Sequence, residues 1–102
     1  MMQVYLSKLA ESKLLKLTEY LLEEWNVKVR DEFINKLTEK INQISYLPKS
    51  CPQSNKFNGL FKYVISKQTT FYYRIHIKKQ EIEIITLFDS KQDPSKLNKE
   101  LI

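Results

Sequence analysis

Glycine and cysteine are almost missing from this 102-residue chain, which has one of each. A lone glycine, Gly59, leaves no room for a glycine-rich phosphate loop, and neither nucleotide-binding glycine pattern occurs. A lone cysteine, Cys51, excludes an intramolecular disulfide and any zinc site built on several thiolates. It is compatible with a reducing compartment. No apolar run is long enough to span a bilayer. The N-terminus, MMQVYLSKL, lacks the basic region and long apolar run of a secretory signal. The expectation is a cytoplasmic protein without a membrane partner, one domain over residues 1–102 that buries a single core.

Charge is distributed unevenly. Residues 1–47 hold seven Lys or Arg against seven Asp or Glu, while residues 48–102 hold ten against five. The whole net charge of +5 therefore sits in the C-terminal half. Such asymmetry suits a negatively charged partner, either nucleic acid or an acidic polypeptide. Fifteen of the seventeen basic residues are Lys, which equally suits a chain whose solvated positions default to lysine.

The apolar pattern gives an architecture. QVYL at 3–6 is β-prone, and Ser7 offers a helix N-cap. Ala10, Leu14, Leu17, Leu21 and Trp25 then recur at the spacing of one helical face. Asn26 and Val27 interrupt that stripe. A second one follows through Val29, Phe33, Leu37, Ile41 and Ile44, and Pro48 stops it. So short a connection predicts an antiparallel helical hairpin, with Trp25 and both stripes in the core. PKSCPQSNKFNG at 48–59 is the clear loop. Three β-prone runs follow, LFKYVISK at 60–67, TTFYYRIHI at 69–77 and EIEIITLF at 81–88. Their short connections predict antiparallel hairpins. Beyond Ile84 both faces of the third run are apolar, which predicts cover on both sides or a bulge near Ile84 and Ile85. The fold class is α+β in the order β-α-α-β-β-β, a helical hairpin packed on an antiparallel sheet. From Asp89 the chain turns polar, and Pro94 opens a short helix or a segment that orders on binding.

TTFYYRIHI has an unusual face. On a period of two, Phe71, Tyr73, Ile75 and Ile77 point to the core. Tyr72, Arg74 and His76 line the other side, a phenol, a guanidinium and an imidazole in a row.

In order and spacing, VYLSKLAESKLLKLTEYLLEEWNVKVRDEFINKL, the proline-bearing loop, LFKYVISKQTTFYYRI and IEIITLFDSKQDPSKL together resemble the RelE/ParE superfamily, the toxins of type II toxin–antitoxin pairs. The resemblance covers nearly the whole chain. It implies a toxin neutralised by a cognate antitoxin, with operator DNA reached only through that antitoxin. RelE-type members cut mRNA in the ribosomal A site without metal or other cofactor. Basic side chains activate the 2′-hydroxyl, stabilise the phosphorane and protonate the leaving oxygen. ParE-type members keep the fold, lack that basic set and poison DNA gyrase.

Carried over by position, the resemblance matches Lys62 to a basic residue of the RelE-type site and Arg74 to the arginine of the family's Y-R strand. Lys91 lies where another arginine is usual, as a donor that cannot form a bidentate fork. Val64 stands at a position that is basic in RelE-type enzymes, and Leu97 lies near the place of their C-terminal aromatic. Tyr72 and His76 are supporting candidates, His76 as an acid or base. Each residue also has a structural reading. Lys62 and Lys91 suit solvated sheet edges, and Arg74 suits an ion pair with Glu81 or Glu83. Tyr72 suits cross-strand contact, His76 a satisfied surface position, and Cys51 an inert loop position.

The incomplete basic set favours a ParE-like toxin acting on DNA gyrase, with Asp89, Lys91, Pro94 and Leu97 as the target-binding stretch. The alternatives are a RelE-like ribosome-dependent endonuclease using Lys62, Arg74 and Lys91, and a degenerate member that only binds antitoxin and assists repression. The basic C-terminal half implies an acidic, amphipathic antitoxin segment lying across the helical hairpin, with a strand available to the sheet.

Overall fold

Serine at position 7 ends one element and starts the next, and the rest of the topology follows from where it is held. The computed structural model describes residues 1–55, 57–89 and Leu101. Strand β1 (Gln3–Leu6) leads through Ser7 into helix α1 (Lys8–Glu24) and then helix α2 (Val27–Tyr46). Strands β2 (Phe61–Val64), β3 (Thr69–His76) and β4 (Glu81–Asp89) complete the order expected from the sequence. β2, β3 and β4 are antiparallel neighbours, as their short connections require. β1 joins the far side of β4 in parallel, so the four-stranded sheet is mixed, in the order β1-β4-β3-β2.

Both helices start on side-chain caps. Ser7 Oγ accepts from Ala10 N–H at 3.0 Å, and Asn26 Oδ1 accepts from Val29 N–H at 2.9 Å. The helices cover one face of the sheet, where Ala10, Phe33, Leu37 and Ile44 meet Phe61, Phe71, Tyr73, Ile82, Ile84 and Leu87. Trp25 departs from its expected place in this core. It caps the C-terminus of α1 and is 64% exposed, because the stripe runs off the end of the helix before the sheet can cover it.

A bulge reverses the side-chain alternation of β4. Tyr72 stands opposite Thr86 and Tyr73 opposite Ile84, which leaves Ile85 unopposed. Before the bulge Ile82 and Ile84 face the helices; after it Leu87 does. Ile85 and Phe88 therefore join a second cluster with Leu60, Tyr72, Phe57 and Leu101. Both readings of the apolar run beyond Ile84 hold, cover on two sides and a bulge between them. Ser7 bonds this irregularity directly. Its N–H donates to Ile84 O at 2.9 Å and its hydroxyl to Ile85 O at 2.6 Å.

Two further connections hold β3 in place. Fully buried Tyr73 donates its hydroxyl to Pro48 O at 2.8 Å, tying the end of α2 to the sheet beside buried Cys51. At its C-terminal end the strand stops one residue early. Ile77 enters a 3-10 turn over Ile77–Lys79, closed by Gln80 in the left-handed region at φ 55°. The Gln80 side-chain amide donates to Ile77 O at 2.8 Å, which helps a non-glycine residue hold that conformation. Ile77 is consequently 63% exposed and not in the core, since α2 has ended and no described residue covers it.

Burial, followed by the hydrogen bond to Cys51, drives the Tyr73 phenol well above a free tyrosine's 10.0. The fold thus prefers the neutral phenol. Its contribution is complete below pH 10 and is lost as pH climbs from there toward the raised folded value. In chemical denaturation above pH 10, wild-type stability is expected to fall more steeply than that of Tyr73→Phe. At neutral pH the same variant is expected to lose about 1 kcal/mol for the missing hydrogen bond.

Candidate functional site

The face of the sheet turned away from the helices holds most of the candidate residues that the structure describes. Register alone places them. Lys62 on β2 is directly opposite Tyr72 on β3, and Arg74 is one step along on the same face. Lys62 and Arg74 are therefore diagonal neighbours, a relation that sets backbones about 7–8 Å apart. Arg74 is opposite Glu83 and His76 opposite Glu81, while Tyr5 of β1 is opposite Glu83 from the other side.

Electrostatics divides this face in two. At the β2 side Lys62 is half-buried and Arg74 exposed, and Arg74 makes no ion pair among the described residues. At the β1 side the carboxylates dominate. His76 Nε2 lies 3.1 Å from Glu83 Oε1 in a diagonal pair, so Glu83 engages the imidazole and not Arg74. Desolvation raises the Tyr5 phenol, and Glu83 and Glu81 raise it further. A phosphate approaching Arg74 would meet a cation at Lys62 on one flank and carboxylates on the other.

Tyr72 faces away from the helices, yet it is a packing residue in its surroundings. Phe57 meets its ring edge-on at 6.2 Å, and Leu60 and Leu101 help to bury it. That burial raises its phenol, away from the range useful for proton transfer at neutral pH. Val64, at the position that is basic in RelE-type enzymes, stands opposite Thr70 and is 54% exposed.

Asp89 does not join this group. It pairs in register with Thr69, five residues along β3 from Arg74, about 17 Å at the usual rise of a strand. There it lines a cleft of about 250 Å³ with Lys13, Lys16, Leu17, Tyr20 and Thr69. Lys13 Nζ also donates to Leu87 O at 3.3 Å, tying α1 to β4. Sequence reasoning missed this cleft, although Lys13, Lys16 and Tyr20 carry a signal, spacings of three and four along one helical face. Lys91, Pro94 and Leu97 lie outside the described residues. Among the described residues no three His, Cys, Asp or Glu side chains converge as a metal site requires, and no helix is long and apolar enough to cross a membrane.

If Tyr72 is packing and Arg74 is free surface, their alanine variants separate sharply in denaturant unfolding. Tyr72→Ala is expected to cost about 3 kcal/mol, and Arg74→Ala less than about 0.5 kcal/mol. A comparable loss from Arg74→Ala would place that guanidinium in a structural contact instead.

Comparison with known proteins adds a family to this geometry. Residues 4–94 match the family described as ParE toxin of type II toxin-antitoxin system, parDE. Comparison with curated sequences gives no match. Among solved structures, a chain of the chromosomal ParDE system of P. aeruginosa superposes with a TM-score of 0.70 at 12% identity, covering 89% of this chain and 98% of that one. A chain of the intact E. coli RelBE toxin–antitoxin complex gives 0.65 at 13% identity, covering 90% and 100%. A YoeB/ParE toxin from Agrobacterium tumefaciens gives 0.64 at 15% identity, covering 86% and 98%. At these identities the structural likeness is one of fold.

Proposed function

This chain belongs to the ParE toxin family of type II toxin–antitoxin systems, and from that premise we propose that it is a cytoplasmic, ParE-like toxin that acts on DNA gyrase and is held inactive by a cognate antitoxin. The observation that carries the choice of target is the composition of the open sheet face. Cutting RNA by attack of its own 2′-hydroxyl requires a base, an acid and several donors around one phosphate. The described part of this face offers one exposed guanidinium and one half-buried ammonium. Val64 fills the next position on β2, Tyr72 is packed under Phe57, and His76 turns Nε2 to Glu83. Carboxylates beside Arg74 oppose the binding of a polyanion.

One observation favours the RelE-like reading: Lys62 and Arg74 are adjacent across the β2–β3 pair, as a phosphate clamp requires. In that case Lys91 would be the third donor. The antitoxin reading draws support from the family itself and from the excess of positive charge in the C-terminal half. The partner expected is an acidic, amphipathic segment seated on the helical hairpin.

Two assays on the purified chain distinguish the readings, inhibition of gyrase supercoiling and cleavage of mRNA on programmed ribosomes. The gyrase reading expects inhibition without mRNA cleavage, with Arg74→Ala and Lys62→Ala within a few-fold of wild type and toxicity sensitive to changes from Asp89 to Leu97. Ribosome-dependent cleavage that falls by about 10² to 10³ in Arg74→Ala would replace this reading with the endonuclease.

A further inference from the structure

The far end of α2 from the hairpin tip presents apolar surface that the fold holds open. α2 ends at Tyr46, Leu47 caps it and Pro48 follows. Tyr46 is 70% exposed and Leu47 62%. Across from them the β3–β4 turn holds Ile77 outward, its carbonyl bonded to both the backbone and the side chain of Gln80. Met2 closes the groove from beneath, fixed by its N–H donating to Ser45 O at 2.9 Å. The space between these walls is about 520 Å³ and is lined almost wholly by carbon.

The rim is cationic. Lys49 lines the groove, and Lys78 and Lys79 follow Ile77 in the turn. All three are exposed, and none has an ion pair among the described residues. The carboxylate nearest in the turn, Glu81, is paired in register with His76 on the other face of the sheet. Clustered exposed apolar side chains mark binding surfaces, and an unneutralised cationic rim states the charge of what they bind.

We propose that this groove is a second anchor for the antitoxin, taking an acidic segment that sets apolar side chains against Ile77, Leu47 and Tyr46 and carboxylates against Lys49, Lys78 and Lys79. It rests on the antitoxin reading above and adds a site that the reading does not contain. α2 has 20 residues, about 30 Å of helix at the usual rise, so the groove is separate from the hairpin tip at Trp25. Three exposed lysines beside this apolar surface match an acidic, amphipathic segment in charge. A segment bound at both ends of α2 gains effective concentration at the second site from the first.

The test uses the full chain and its cognate antitoxin. Ile77→Asp is expected to raise the dissociation rate constant of the complex at least tenfold, with thermal unfolding of the free chain unchanged because the residue is exposed. Replacing Lys49, Lys78 and Lys79 together by Ser is expected to remove most of the salt dependence of association. Thiol alkylation of Ile77→Cys should be rapid in the free chain and blocked in the complex. Equal alkylation in both states, with dissociation indifferent to Ile77→Asp, overturns the anchor and leaves the functional reading standing. An antitoxin that fails to bind the wild type overturns both. Capture of wild type by anionic phospholipid vesicles, or a dimer of the chain, that Ile77→Asp abolishes would assign the groove to a different occupant.

Discussion

Three of the hydrogen bonds of Ser7 join β1, α1 and β4 at one point. The residue continues β1 onto β4 through its N–H, caps α1 through its hydroxyl oxygen, and donates that hydroxyl's proton to the carbonyl of the bulge residue Ile85. The first bond joins segments nearly eighty residues apart in the chain. The third satisfies a carbonyl next to the one irregularity of the β3–β4 ladder, whose extra residue is the reason the sheet has two apolar faces. The N-cap geometry sets where α1 begins, and so which residues of the helix meet β4. Helix docking, the parallel strand and the reversal of alternation in β4 are one arrangement.

That reversal shapes the chemistry available on the open face. Beyond the bulge Ile85 and Phe88 turn toward it and cover Tyr72 together with Phe57, Leu60 and Leu101. Before the bulge Glu81 and Glu83 turn toward it, and Glu83 takes up His76. Arg74 is left between an apolar cluster and a carboxylate pair, with Lys62 as its diagonal cationic neighbour. This sheet face therefore carries fold-determining packing and candidate chemistry side by side, and the bulge decides how much area each receives.

Local pattern made most of the fold legible. Asn26 reads only as a break between two stripes and is the cap of α2, whereas the Ser7 cap, the three antiparallel runs and the bulge at Ile84 and Ile85 all follow from spacing and hairpin register. Long-range facts did not. The parallel pairing of β1 with β4 leaves no mark on either strand's own sequence. Ile77 and Trp25 satisfy their periodicities and still face solvent, because a period reports direction and cannot report whether an element overhead has ended. Tyr72 reads as a member of a polar row until Phe57 and Leu101, distant in sequence, arrive to cover it. Glu83, one of the two carboxylates that suited Arg74, meets His76 instead, one diagonal step away, a choice made by side-chain reach and not by register.

The central place of Ser7 can be tested against an internal control. Asn26 caps α2 through a bond of the same kind, 2.9 Å against 3.0 Å, with no contact to the bulge. Losing a cap costs about 1 kcal/mol, and losing the second hydrogen bond, to the half-buried Ile85 carbonyl, costs about 1 kcal/mol more. Denaturant unfolding of Ser7→Ala and Asn26→Ala, followed by circular dichroism, compares the two directly. Ser7→Ala should be the more destabilising by at least about 1 kcal/mol, whereas equal losses would reduce Ser7 to an ordinary helix cap and contradict the account.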